Sequence, residues 1–109
     1  MSLWEERATR NEALFREVNE RVKEIHEGQA IGSSADFVCE CPDDTCTERL
    51  TVPIKTYERV RSQPLLFLVR PGHERPELEH VVEQGDGFLI VKKDTPATAR
   101  IAEQTSPSG

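Results

Sequence analysis

The stretch from Phe37 to Pro53 reads FVCECPDDTCTERLTVP, and its alternation decides what kind of fold the chain can build. Side chains of an extended segment point to opposite faces in turn. Phe37 to Cys41 is therefore expected to be a strand with Phe37, Cys39 and Cys41 on one face and Val38 and Glu40 on the other. Pro42, Asp43 and Asp44 supply a turn, and Glu48 to Val52 predicts a second strand with Leu50 and Val52 facing inward. The two make a hairpin capped by a cysteine-bearing loop, and Pro53, which has no backbone donor, limits its ladder.

Upstream, Leu3 to Glu27 contains neither Pro nor Gly and is rich in Glu, Arg, Ala and Leu, which predicts a helix of about 20 or more residues. Trp4, Ala8, Asn11, Phe15, Val18, Val22 and Ile25 recur in steps of four and three, the spacing of a helix seam, and Leu14 widens the stripe. A helix of this length spans roughly 30 Å, comparable with the diameter of a small domain. The half from Phe15 to Ile25 suits packing on the domain's own sheet. The first turns, Trp4 to Asn11, are expected to meet another chain, in a homodimer or with a partner protein, with Asn11 setting the register. Gly28 is the natural stop, and Gly28 to Ser34 reads as a turn or short linker.

Downstream, Ile54 to Ser62 predicts a short helix packed through Ile54, Tyr57 and Val60 or Arg61. Leu65 to Val69 is an apolar run of strand length, and Pro71-Gly72 is a turn signal directly before His73. Leu78 to Lys93 predicts a hairpin around Gly85-Asp86-Gly87, with His80 and Val82 on its first arm and Phe88 and Ile90 on its second; the first arm also fits a short helix after Pro76. Ala97 to Glu103 suits a final helical turn or two after Pro96, and residues 105–109 form a loose tail. The expected fold class is α+β: a long N-terminal helix (1–27) continuous with a small domain (35–104), packed against a mainly antiparallel sheet.

The chain has 109 residues, enough for one core, with 36% apolar and 6% aromatic residues. Such a lean core makes added stabilisation from a metal or a partner physically plausible. Fourteen Lys and Arg against twenty Asp and Glu give a net charge of −6 with both signs interspersed, which argues against nucleic acid as a partner. Arg59, Arg61 and Arg70 are the nearest thing to a basic patch and read as solvated charge. Glu12, Glu74, Glu77, Glu79, Glu83 and Asp86 likewise read as surface carboxylates. No segment approaches the roughly 20 apolar residues of a membrane span, and the N-terminus has no signal-peptide pattern. A cytoplasmic, reducing location is expected.

Three cysteines crowded between positions 39 and 46 make a poor disulfide framework. Cys39 and Cys41 present thiols to the same side, Cys46 returns after the turn, and three soft thiolates with one imidazole match the tetrahedral preference of structural zinc. His73, presented by the Pro71-Gly72 turn, is the first choice for the fourth ligand, ahead of His80, His26, Asp43, Asp44 and Glu48. The competing reading makes Cys39 and Cys41 small buried apolar groups and Cys46 a loop thiol. A third option is thiol chemistry, in an enzyme or redox sensor, using Cys46 with His73 as base. The spacing names no enzyme, and the C-x-x-C of thioredoxin-like dithiols is absent.

The string from Arg10 to Arg21, RNEALFREVNER, resembles the opening of a group of small, uncharacterised bacterial proteins of the actinobacterial type. The likeness continues through Phe37-Val38-Cys39-Glu40-Cys41, Cys46 with Glu48-Arg49, Tyr57-Glu58 with Val60-Arg61, Pro71-Gly72-His73-Glu74 and Val81-Val82-Glu83. It spans most of residues 10–93. The resemblance implies that the Cys39, Cys41, Cys46 and His73 set is the characteristic feature, and it carries over no activity, substrate or catalytic residue. The Pro42-Asp43-Asp44-Thr45 loop departs from the group, whose loops often begin with Gly or Ala. The function expected is a small metal-stabilised interaction or regulatory module; the alternatives are the Cys46-dependent enzyme or sensor and a weak nucleic-acid-associated regulator.

Overall fold

The structure is a computed structural model that describes residues 3–26, 32–41, 43 and 45–105, with side chains from residue 10 onward. The element order is α1 (Leu3–Ile25), β1 (Ser34–Val38), β2 (Arg49–Pro53), α2 (Ile54–Arg61), β3 (Leu66–Val69), β4 (Glu79–Gln84), β5 (Leu89–Lys93) and α3 (Pro96–Gln104). This is an α+β fold whose ladders, among the described residues, are all antiparallel. The expectations for the Trp4 and Ala8 side chains, the Gly28 stop, Pro42, Asp44 and the tail beyond residue 105 lie outside the described residues.

The strands form two sheets, a β1–β2 hairpin and a three-stranded sheet of order β3-β5-β4. In the hairpin Phe37 faces Leu50 and Ala35 faces Val52 across the ladder, all four buried. β1 starts earlier than expected, at Ser34, and ends at Val38, so the cysteines follow the strand instead of sitting within it. The sheets meet where this segment runs on: the Glu40 N–H donates to the Leu68 carbonyl at 2.7 Å, covering the free edge of β3. Residues 66–69 are buried throughout, and with Phe37, Leu50, Val52, Tyr57, Val60 and residues 88–91 they form one apolar core. α2 packs through Ile54, Tyr57, Val60 and Arg61, as its spacing predicts. Thr95 caps α3 by accepting from the Thr98 N–H at 3.2 Å, with Pro96 in the first turn, where its missing donor costs nothing.

The β4–β5 hairpin turns at 85–88, closed by the Gly85 N–H to the Phe88 carbonyl at 2.9 Å. Gly85 is required there because a Cβ would meet the Phe88 ring at 2.1 Å. His80 and Val82 lie on the first arm, as expected, and both are exposed. β4 is an edge strand with a bulge between Val81 and Glu83, and its inward residue is Glu79, opposite Lys93.

α1 also departs from expectation. The apolar stripe is not its docking face: Leu14, Val18 and Ile25 are exposed, and Phe15 and Val22 lie at the boundary. The helix is held through Glu12, Ala13, Arg16 and Asn19, whose three- and four-residue steps make a stripe of their own. Glu12 and Glu79, read as surface carboxylates, are buried, and both accept from the Lys93 ammonium. Arg16 donates to the carbonyls of Pro64 (2.6 Å) and Ala102 (2.8 Å) and lies 4.5 Å from the Phe67 ring centroid. Burial lowers its pKa to about 10, which leaves it charged at neutral pH.

Two carboxylates share one ammonium in the Glu12–Lys93–Glu79 cluster. Burial pushes the Glu12 carboxyl well above its ordinary value of 4.5; Lys93 opposes this and Glu79 adds to it. The folded chain therefore keeps a proton that the unfolded chain releases as pH rises past 4.5. The resulting stabilisation is complete below that value and is lost as pH rises through the folded one. Urea denaturation at several values between roughly pH 5 and 8 should show stability falling with pH less steeply in Glu12→Gln than in the parent chain. An equal or steeper fall in the variant would overturn the assignment.

Candidate metal centre

Each side of the cluster is placed by a local feature of the chain. The Cys39 N–H donates to the Glu48 carbonyl at 3.0 Å, extending the hairpin by one bond and fixing where the cysteine segment begins. Asp43 then accepts from the Thr45 N–H at 2.9 Å and from its hydroxyl at 2.7 Å, and the Cys46 N–H returns to the Asp43 carbonyl at 3.1 Å. On the opposite side, the His73 N–H donates to the Arg70 carbonyl at 2.9 Å across Pro71-Gly72, with Gly72 at a φ of 95°. Proline followed by a left-handed glycine is what a type II turn demands, and it sets His73 just beyond β3.

Cys39, Cys41, Cys46 and His73 are brought together as expected, with one ligand atom from each lying within 4.8 Å of all the others. His73 Nδ1 is 3.7 Å from the Cys39 sulfur and 3.6 Å from that of Cys46. Zinc bonds of about 2.3 Å to sulfur and 2.0–2.1 Å to nitrogen place sulfur and nitrogen about 3.6 Å apart at tetrahedral angles. The cluster thus has the spacing of a closed four-ligand site, and it can hold a metal ion. Cys39 and Cys41 are buried, Cys46 and His73 half-buried, and all three cysteines are free thiols.

The thiols differ in their readiness to ionise. A hydrogen bond from Cys39 and another from His73 lower the Cys41 thiol against the effect of burial. Cys39 is pushed up by that same bond and by burial, and Cys46 by burial. The Arg70 N–H donates to the Cys39 sulfur at 3.2 Å, an outer contact of the kind that orients a ligand. Burial raises the thiol expected for catalysis, Cys46, and the imidazole expected as its base lies at nearly the same distance from Cys39.

Three of the other candidate ligands are engaged elsewhere. Exposed His80 bonds Asp94 at 3.1 Å, Glu48 pairs with Arg70 at 2.6 Å and Asp43 closes its own turn, while His26 ends α1 through its backbone N–H. The arginines considered for nucleic acid do not form a patch. Arg59 is bidentate to Glu83 at 2.8 and 2.7 Å, Arg70 pairs with Glu48, and Arg61, read both as solvated charge and as part of the packed face of α2, is buried beside the Leu66 carbonyl and 3.9 Å from Glu40.

Sequence reasoning missed Glu40. It lies between two ligands, on the face opposite the thiols, and it is fully buried. Its carboxylate accepts from the Tyr57 hydroxyl, from the Leu68 N–H at 2.8 Å and from Asn19 Nδ2 at 2.9 Å. Phe37 stacks on Tyr57 at 4.3 Å between centroids. The only signal in the sequence was the alternation itself, with a long helix available to cover the second face. Comparisons with protein-family models, with curated proteins and with solved structures return no match, so the functional reading rests on the geometry of the cluster.

Burial holds the Tyr57 hydroxyl in its protonated form, so it remains a donor to Glu40. Tyr57→Phe should lower unfolding stability by about 1–3 kcal/mol, the cost of leaving a buried acceptor short of a donor. Urea denaturation reads the difference, and no measurable loss would show that Glu40 does not depend on Tyr57.

Proposed function

We propose that the chain is a zinc-stabilised protein-interaction or regulatory module. The observation that carries this reading is the convergence of Cys39, Cys41, Cys46 and His73 at spacings a tetrahedral ion would bridge. Zinc is the metal of choice for three thiolates and an imidazole, and with four protein ligands it has no open position for substrate, so its role is structural. A reducing, cytoplasmic setting belongs to this reading, because the thiols must stay free to ligate. The rival of a Cys46-dependent enzyme has the short Cys46–His73 distance in its favour and, against it, an imidazole that lies nearly as close to Cys39.

Protein purified without added zinc should carry about one equivalent of the metal, and His73→Ala should weaken its binding by more than about tenfold. Less than a tenth of an equivalent, with all three thiols reactive in the folded chain, would sink the proposal.

The interaction role rests on α1, where Leu14, Val18 and Ile25 are 57%, 42% and 76% exposed along one side of the helix. Apolar residues four and seven apart suit a second helix, and a second copy of this chain is the occupant proposed. Light scattering over a concentration series should show a dimer that Leu14→Glu with Val18→Glu returns to monomer. A parent chain monomeric throughout would defeat self-association.

A further inference from the structure

We infer that occupancy of the Cys39–Cys41–Cys46–His73 site controls whether the C-terminal half of α1 is docked, an inference that rests on reading this cluster as a metal site. Cys39, Glu40 and Cys41 are consecutive. Two of them point to the proposed ion, and the third points to α1. Asn19 is the helix residue that reads this segment. Its side-chain amide donates to the Val38 carbonyl at 2.7 Å and to Glu40 at 2.9 Å, and its oxygen accepts from the Val38 N–H at 2.7 Å. All three contacts fall on the two residues that flank Cys39.

That segment is held on one face by the Cys39 N–H bond to Glu48, the Glu40 N–H bond to Leu68 and the donors around the Glu40 carboxylate, and a bound ion would hold it from the other. β1 ends at Val38, and beyond it the sulfurs of Cys39 and Cys46 lie 3.7 and 3.6 Å from His73 Nδ1, weak sulfur hydrogen bonds whose length also matches ligands around an ion. A bound ion would add one bond to Cys39 and one to Cys41 and tie both to Cys46 and His73, bracing the backbone on either side of Glu40. The N-terminal half of the docking face is anchored independently, by Glu12 on Lys93 and by Arg16 on Pro64 and Ala102. Loss of metal therefore frees the helix from about Asn19 onward and leaves its earlier turns in place. Metal supply would decide whether these last turns are presented docked or free, which is a regulatory property of the metal site itself.

The coupling is reciprocal: whatever factor zinc contributes to docking, docking returns to zinc affinity. The experiment is hydrogen exchange by mass spectrometry on the full chain, zinc-loaded and chelator-stripped, with metal content measured in both samples. Stripping should speed exchange across residues 19–25 by about tenfold or more, while residues 66–69 and 89–93 change by less than about twofold. Asn19→Ala should weaken zinc binding by a similar factor, and Glu83→Gln should leave it unchanged.

Unchanged exchange in 19–25 after complete stripping overturns the inference and leaves the metal site standing. Uniform acceleration in every segment also overturns it, since the ion would then hold the whole fold. Failure of the starting protein to bind zinc overturns the reading beneath it. The parent-chain comparison decides the matter even if Asn19→Ala does not fold.

Discussion

A carboxylate buried in a protein core must be surrounded by donors or it unfolds what it sits in, and Glu40 is surrounded from three directions. Tyr57 comes from α2, the Leu68 N–H from β3 and Asn19 from α1, while Arg61 supplies a buried positive charge 3.9 Å away. Those contacts tie the hairpin, the three-stranded sheet and both helices to one side chain. Because Glu40 lies between Cys39 and Cys41, the backbone conformation that aims it into the core aims both thiols the other way, toward Cys46 and His73. The polar hub and the candidate metal centre are two faces of the same three residues.

The same economy of apolar material governs how α1 is held. A chain with 36% apolar residues has few large side chains to commit to a helix–sheet interface, and here the interface is made largely by charges around an aromatic ring. Arg16, Lys93 and Arg61 lie 4.5, 5.0 and 5.6 Å from the centroid of Phe67, which is fully buried. Buried ion pairs of this sort add little net stability over a well-packed apolar contact, but they accept few alternative alignments, so they specify where the helix sits. The apolar residues released from that task, Leu14, Val18 and Ile25, face outward.

The site's chemistry follows from the loop on one side and the turn on the other. The Asp43 turn brings Cys46 back beside Cys39 and Cys41, and the Pro71-Gly72 turn delivers His73 from the far end of β3, a sheet away in sequence. Coordination would join two sheets that otherwise share a single described backbone bond between Glu40 and Leu68 in this region. A structural ion at such a seam would reinforce from the thiol face what Glu40 joins from the other.

Local residue patterns by themselves determined most of the elements and pointed to the cluster that could hold an ion. The uninterrupted helix-forming run before Gly28, the alternation in Leu50 and Val52, the Ile54-Tyr57-Val60 spacing and the Pro71-Gly72 signal each act within a few residues and came out as read. The grouping of Cys39, Cys41, Cys46 and His73 was legible for the same reason, since strand alternation and two tight turns bring these side chains to one place. Only the tertiary structure decided which face of α1 is buried, that Glu12, Glu79, Arg61 and Glu40 are interior, and that His80 and Val82 lie on an exposed edge. The physical reason is that a charged residue is solvated or buried according to whether its counter-charge arrives from elsewhere in the chain. Lys93 is 81 residues from Glu12, and pairings at that range leave no trace in local periodicity.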